Sequence, residues 1–237
     1  MTVEVLNTGT ELLLGDVVNT HCYYMASAYA KASWRVKKAR SGCMFGEKLS
    51  HYVDLQRWWI GAEVSEVSTY SAPNTVPYME IRDNYHTSCR FANGAVSHLT
   101  FMMGPAATFR GDPLQCVTDQ QIGDGHALRY FVCGTKGAAE TDVFSRSIKR
   151  WQYADTPYCQ ESDVVETLTW DRAEDHAYYH NTHDQTLDIV RRVQEGLPPK
   201  TPARDAFETM RLCFAAERSA DLRRPVRLDE PLEGGPA

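Results

Sequence analysis

The amino-acid sequence predicts an α+β layer domain, and three observations support this fold class. A segment with helical spacing of apolar residues runs from Gly46 to about Ile60. Segments that alternate between polar and apolar residues follow between residues 64 and 170, separated by glycine-containing turns. Two further helical segments come after them, and this order is typical of helices packed on an antiparallel sheet.

The residues before Gly46 are predicted to form short elements. Val3–Leu6 has the composition of a strand, and Asp16–Tyr29 is compatible with a helix. Ala32–Cys43 is basic and irregular, so we expect a connection there. The helix that begins at Gly46 is expected to end before Gly61, because glycine suits the left-handed position after a helix.

Two hairpins form the centre of the predicted sheet. An Asn-Gly turn separates Tyr85–Phe91 from Val96–Met103, and this dipeptide between alternating segments is a strong hairpin signal. A second glycine-containing turn separates Leu128–Cys133 from Ala138–Val143. The remaining predicted strands are Val64–Tyr70, Ser147–Tyr153, Val165–Trp170 and, at an edge, Pro225–Leu228.

The C-terminal part is predicted to be helical. One helix covers about Glu174–Glu195 and is closed by Gly196, and the next covers about Arg204–Leu222. Residues 230–237 are expected to fray. The second helix has an apolar stripe that we expect to face the sheet, formed by Phe207, Met210, Cys213, Phe214 and Ala220.

Composition excludes several classes of function. The net charge of −6 argues against a nucleic-acid partner, because binding to phosphates requires a basic surface. Apolar runs are too short for a membrane span, and the first residues have no basic segment typical of a secretory signal. The seven cysteines have no CxxC spacing, and their odd number argues against a disulfide framework. We therefore expect a reducing, cytoplasmic location.

One helical stripe contains the candidate chemistry. Residues three and four apart share a helix face, so Glu47, His51, Asp54 and Trp58 are expected to lie in line. A histidine can exchange a proton near neutral pH, and a carboxylate one turn away can orient it. The alternative is a solvated helix surface with ordinary ion pairs beside two buried tryptophans, Trp58 and Trp59.

This stripe lies within a family resemblance. The segment GCMFGEKLSHYVDLQRWWIG (residues 42–61) resembles the G-x-H-x-x-D-L…W-x-x-G segment of the Gfo/Idh/MocA oxidoreductase family. FANGAV (91–96), GTKGAAE (134–140) and LDIVRRVQEGLPP (187–199) resemble later segments of the same family, in the same order. The resemblance covers about residues 34–228.

The resemblance implies a fold and a set of roles. The C-terminal domain of that family has a large open, mainly antiparallel sheet covered by helices on one face, and it binds a sugar or polyol. His51 would be the catalytic histidine and Glu47 its orienter, with Asp54 as a structural or substrate-side residue. Further candidates for contact with substrate hydroxyls are Arg110, His126 and His180, each with a structural role as the alternative. The open sheet implies a homo-oligomer.

The resemblance also implies an NAD or NADP cofactor, whose domain the sequence does not contain. No G-x-G-x-x-G turn is present, so we expect no complete Rossmann domain and no tight binding of nicotinamide nucleotides. Glu47-Lys48 is followed by Leu49 and is therefore not the E-K-P motif of the family's nucleotide domain. Residues 3–21 instead resemble the start of the CinA family. We interpret residues 1–33 as a separate, truncated or fused N-terminal segment, and residues 34–229 as the oxidoreductase-like domain.

Three functional hypotheses follow. The first is the substrate-binding and catalytic half of a sugar or polyol oxidoreductase. The second is a non-catalytic carbohydrate-binding or oligomerisation module. The third is a metal-binding protein that uses His176, His180 and His183, whose helical spacing places them on one face. We expect no metal, because a polar, tyrosine-rich helix face explains these histidines as well.

Overall fold

The computed structural model describes residues 14–104, 126–174 and 181–231. These residues form a nine-stranded sheet in the order β8-β7-β6-β5-β1-β4-β3-β2-β9. All neighbouring strands that pair are antiparallel except β1 and β4, which are parallel. The strands are β1 Val17–Ala26, β2 Val64–Tyr70, β3 Asn84–Phe91, β4 Val96–Met103, β5 Ala127–Gly134, β6 Gly137–Asp142, β7 Ser147–Asp155, β8 Gln160–Thr169 and β9 Val226–Arg227.

Four α-helices accompany the sheet in the described residues. They are α1 Lys38–Ser41, α2 Ser50–Ile60, α3 Thr182–Glu195 and α4 Ala203–Leu222. Short 3-10 turns cover Trp34–Val36 and Arg172–Glu174, and a π-helical turn, Phe45–Leu49, leads directly into α2. The predicted fold class is confirmed: a large, open, mainly antiparallel sheet has helices packed on one face.

The predicted helix over Asp16–Tyr29 is wrong, because this segment contains the central strand β1. Its side chains alternate, with Cys22 and Tyr24 buried and His21 and Tyr23 exposed. A period of two is the pattern of a strand with one face under helices and the other open. The sheet thus includes residues that the sequence assigned to the separate N-terminal segment.

The other predicted strands are found close to their expected positions. Both hairpins form, and Gly94 adopts a φ of 89° in the turn between β3 and β4. Strand β8 begins at Gln160, earlier than predicted, and pairs with β7 along its whole length. The edge strand near the C-terminus is β9, which pairs with β2. Of the first predicted strand, Val3–Leu6, nothing is described.

The predicted helices are found near their expected positions, but the residues that one of them buries differ from the prediction. Helix α2 ends at Gly61, whose φ of 66° is left-handed as expected. Helix α3 begins at Thr182, and the predicted residues 175–180 lie outside the described part.

The predicted apolar stripe of α4 is wrong at Phe207 and Phe214, which are exposed. Instead the small residues Ala216 and Ser219 face the sheet. Ser219 Oγ accepts a hydrogen bond from the Thr69 backbone N–H of β2 at 2.9 Å. Helical spacing places this buried face, which also includes Leu212 and Cys213, opposite Phe207 and Phe214, so the phenylalanines point away from the sheet.

A buried arginine joins α2, α4 and the start of β2. The Arg57 side chain is 5% exposed, and its Nη2 lies 2.8 Å from Glu63 Oε1 and 3.1 Å from Asp205 Oδ1. Its Nη1 donates to Thr209 Oγ1 at 2.7 Å. The carboxylates, through hydrogen bonds and charge, raise the pKa of Arg57 despite the opposing effect of burial. The guanidinium is therefore held as a cation between the two helices.

We predict that Arg57→Met lowers the free energy of unfolding by about 2 kcal/mol, because it removes several hydrogen bonds to charged and buried groups. Urea denaturation measures the loss. The matched control is Arg191→Met on α3, whose side chain is exposed and paired with Asp188, and it should lose clearly less. Equal losses in the two variants would contradict the structural role of Arg57.

Candidate functional site

The π turn before α2 separates the residues that the sequence placed in one stripe. Within this turn the Ser50 backbone N–H donates to Phe45 O, five residues back, so the chain is wider here than in an α-helix. Residues four apart across such a turn do not stack as they do in an α-helix. Glu47 lies inside the turn and His51 follows it, so the two side chains leave the helix in different directions.

Glu47 points inward and is held by two groups from the segment before α1. Its side chain is 6% exposed. Oε2 accepts a hydrogen bond from Tyr29 Oη at 2.7 Å, and Oε1 lies 2.9 Å from Arg35 Nε. The Arg35 guanidinium also lies over the Tyr29 ring, 5.1 Å from its centroid. Burial, and then the hydrogen bond to Glu47, raise the pKa of Tyr29, so this hydroxyl stays protonated and donates.

His51 points outward. It is exposed near the start of α2, and Trp58, two turns further along, is 41% exposed. Trp59, by contrast, is buried with its ring 5.4 Å from that of Tyr130. One tryptophan is thus a core anchor, as predicted, and the other shares the outer face of α2 with His51.

Asp54 is drawn into the Arg57 network instead of lying beside His51. Its Oδ1 accepts a hydrogen bond from Thr209 Oγ1 and lies 3.5 Å from Arg57 Nη1. These contacts join α2 to α4 and favour the structural alternative for Asp54.

An aromatic layer lies beneath α2 on the covered face of the sheet. The rings of Tyr24 and Tyr52 are 5.0 Å apart, and Tyr52 lies 6.4 Å from Tyr130. The ammonium of Lys48 is 5.2 Å from the Tyr24 ring centroid. A cation and one partly exposed tyrosine, Tyr52, therefore lie on the same side of the sheet as His51, and both can contact a hydroxyl-rich ligand.

The other predicted site residues are not gathered at this place. His126 Nε2 accepts a hydrogen bond from the Ser27 backbone N–H at 3.2 Å, at the end of β1. His183 is exposed on α3, with Nδ1 3.1 Å from Asp184 Oδ1. Arg110, His176 and His180 lie outside the described residues. Within the described part of the chain, no group of three or more His, Cys, Asp or Glu side chains could hold a metal ion.

Comparison with known families identifies the chain. The model of the C-terminal alpha/beta domain of the Gfo/Idh/MocA oxidoreductase family matches residues 11–228, almost the whole sequence. The chain belongs to the Gfo/Idh/MocA oxidoreductase family. The match begins well before residue 34, in agreement with the place of β1 in the sheet, and the comparisons do not show the CinA resemblance of residues 3–21.

Solved structures share the fold at low sequence identity. An oxidoreductase domain protein from Kribbella flavida is 18% identical with a TM-score of 0.70. The aligned region covers 97% of this chain and 63% of that protein. Levoglucosan dehydrogenase in complex with NADH and L-sorbose is 17% identical with a TM-score of 0.70 and coverages of 97% and 62%. Aldose-aldose oxidoreductase from Caulobacter crescentus, complexed with glycerol, is 16% identical with a TM-score of 0.63 and coverages of 95% and 59%.

The chain thus spans less than two thirds of the length of these solved structures. A comparison with curated proteins gives no match. Within the described residues, no helix is long and apolar enough to cross a membrane.

The described residues do not fit a nicotinamide dinucleotide. Such cofactors bind where a strand passes through a glycine-rich turn into a helix, between parallel strands. In the described sheet, the parallel pair is β1 and β4, and the chain leaving β1 runs through Ser27–Ser33 without a glycine. We therefore derive no chemical step that depends on a nucleotide bound by these residues.

The sequence reasoning did not identify Tyr29 and Arg35. Tyr29 fell within a predicted helix, and Arg35 fell within a basic segment interpreted as a connection. The available signal was the pair of aromatic residues, Tyr29 and Trp34, close to an arginine before a buried glutamate. Spacing along one helix could not show this contact, because its partners come from outside that helix.

We predict that Tyr29→Phe lowers the free energy of unfolding by about 1.5–3 kcal/mol, since the hydroxyl donates to a buried carboxylate. Thermal or urea unfolding measures the change. The control is Tyr78→Phe, which removes a bond of 2.8 Å to the neutral carbonyl of Tyr29 and should lose about 1 kcal/mol. A smaller loss for Tyr29→Phe than for Tyr78→Phe would mean that Glu47 does not depend on this hydroxyl.

Proposed function

We propose that the chain is the substrate-binding and proton-transferring half of a sugar or polyol oxidoreductase. The observation that carries the proposal is the exposed His51 at the start of α2, directly after a π turn, on the covered side of the sheet. π turns inside helices occur frequently at functional sites. The nicotinamide nucleotide would be bound by sequence outside the described residues, in the same polypeptide or another.

The substrate class rests on the fold and on chemistry. The similar structures include complexes with levoglucosan, L-sorbose and glycerol, all of which carry several hydroxyl groups. Oxidation of an alcohol releases the hydroxyl proton, and an imidazole is suited to accept it. In our proposal His51 exchanges this proton, and Glu47, fixed by Tyr29 and Arg35, positions the turn from which His51 projects. Lys48, Tyr52 and Trp58 are the nearby candidates for substrate contact.

We predict that, in the complete enzyme with its nucleotide-binding domain, His51→Ala lowers kcat by about 10²-fold or more, because it removes the group that exchanges the proton. Steady-state kinetics of NAD(P)H formation measure the effect. His183→Ala is the control, since it removes an exposed histidine from α3 and should leave kcat unchanged. Equal kcat values for wild type and His51→Ala would exclude His51 from catalysis.

The alternative is a non-catalytic carbohydrate-binding module on the same sheet. Polyol titrations of the isolated chain, followed by NMR, separate the two hypotheses. Binding that weakens in His51→Ala supports a site centred on the histidine. Binding that is the same in wild type and His51→Ala favours the module.

We also propose that the open face of the sheet joins two copies of the chain. The open face is the side of strands β1–β8 opposite the helices, and it includes His21, Tyr23, His98, Phe131 and Val164. Phe131 is 41% exposed near its centre, opposite His21. An exposed apolar surface of this kind is typical of an interaction site.

We predict that Phe131→Glu converts the assembly to monomers, because a charge would be buried at the centre of the contact. Sedimentation velocity or light scattering measures the mass. The matched control is Phe214→Glu on the outer face of α4, where the phenylalanine is 52% exposed, and this variant should remain associated. Dissociation by the control alone would place the interface on the helical side.

A further inference from the structure

A pair of histidines lies at the centre of the open face. β1 is the fifth of the nine strands, and His21 is near the middle of β1. On the neighbouring strand β4, His98 is directly opposite His21. The two ring centroids are 5.9 Å apart and the planes meet at 76°.

Each imidazole ring lies within hydrogen-bond distance of a hydroxyl group. His98 Nδ1 lies 2.9 Å from Ser88 Oγ on β3, and His21 Nε2 lies 3.5 Å from Thr100 Oγ1. A hydroxyl can donate or accept, so it can serve a neutral imidazole. Neither bond supplies the negative charge that would stabilise an imidazolium.

The cross-strand positions nearest to the pair contain no carboxylate. On β5, Phe131 is opposite His21, with Arg129 and Cys133 diagonal to it. On β3, Ser88 is opposite His98, with His86 and Arg90 diagonal to it.

The nearest acidic side chains on these rows lie on the next strands. They are Glu140 opposite Phe131, Asp142 paired with Arg129 at 2.9 Å, and Glu66 opposite Arg90. A doubly protonated pair would therefore have no carboxylate at the positions next to it, and the two imidazolium rings would repel each other.

We propose that protonation of the His21–His98 pair weakens the association of two copies through the open face. The inference rests on the face-to-face assembly proposed above. In a twofold interface, residues near the axis meet their own copies. An axis near the centre of the sheet brings two such pairs together, so four imidazoles become buried in one place. Protonation then puts like charges in contact and buries them without a counter-ion.

The pKa of His21 is shifted in the direction that the proposed pH dependence requires. Burial, and then the charge of His98, lower the pKa of His21 below its ordinary value in the single chain. A group with a lowered pKa binds fewer protons than it does when free, so its neutral form is the one that the structure favours. Association buries the pair further. It is therefore favoured as pH rises and lost as pH falls through the lowered pKa.

The test is sedimentation equilibrium of the wild-type chain at about pH 7.5 and about pH 5.5, on either side of the ordinary histidine pKa of ~6.5. A chelator is present, because paired imidazoles also bind divalent transition metals. We expect the dissociation constant of the dimer to rise at least about tenfold at the lower pH, which corresponds to one pKa unit. The double variant His21→Asn/His98→Asn should associate equally at both pH values, and the control His183→Asn should behave as wild type. Circular dichroism at both pH values verifies that each protein stays folded.

Other outcomes overturn the inference in distinguishable ways. If the wild-type dimer has the same dissociation constant at both pH values, the His21–His98 pair does not control association, and the proposed interface still stands. A double variant that keeps the pH dependence assigns it to other groups. Monomers at both pH values, for wild type and for Phe131→Glu alike, remove the proposed interface itself and with it this inference.

Discussion

The arrangement of the helices depends on the hydrogen bonds and ion pairs of the Arg57 guanidinium. It is buried between α2, α4 and the residue just before β2, and it contacts Glu63, Asp205 and Thr209 together. Gln56, the next residue back, donates to the His98 carbonyl of β4 at 2.8 Å. These two side chains fix α2 along its axis and across the sheet. The start of the helix, with His51, is held in place by contacts made near its end.

The π turn gives this helix its functional character. An uninterrupted α-helix would place Glu47 and His51 on one face, competing for the same solvent-exposed region. The wider turn directs the carboxylate into a pocket formed by Tyr29 and Arg35 and leaves the imidazole outside. The proposed division of roles, a proton-exchanging histidine above a fixed anionic support, follows from this local change in helix geometry.

The two faces of the sheet contain different kinds of side chain. The covered face contains the large buried side chains Phe45, Tyr85 and Phe101, and its packing supports the candidate site. The open face places histidines, aromatic residues and arginines side by side, with no helix from the described residues over them. The His21–His98 pair belongs to this second face, so in our proposal its chemistry concerns association and not substrate.

The sequence by itself determined the elements whose signals are local. The Asn-Gly turn, Gly61 after α2 and the alternating segments of β2–β7 depend on neighbours within a few residues, and they were predicted correctly. The family resemblance indicated the oxidoreductase fold and pointed to His51.

Tertiary structure decided what depends on distant partners. β1 is a strand because β4 and β5 pair with it on both sides, although its sequence also suits a helix. Phe207 and Phe214 face outward because α4 packs on the sheet through its opposite face, where Ala216 and Ser219 lie. Glu47 leaves the stripe shared with His51 because Tyr29 and Arg35, which approach from another segment, offer it a hydrogen bond and a counter-charge. Such contacts form only after the chain has folded, and spacing along the sequence does not encode them.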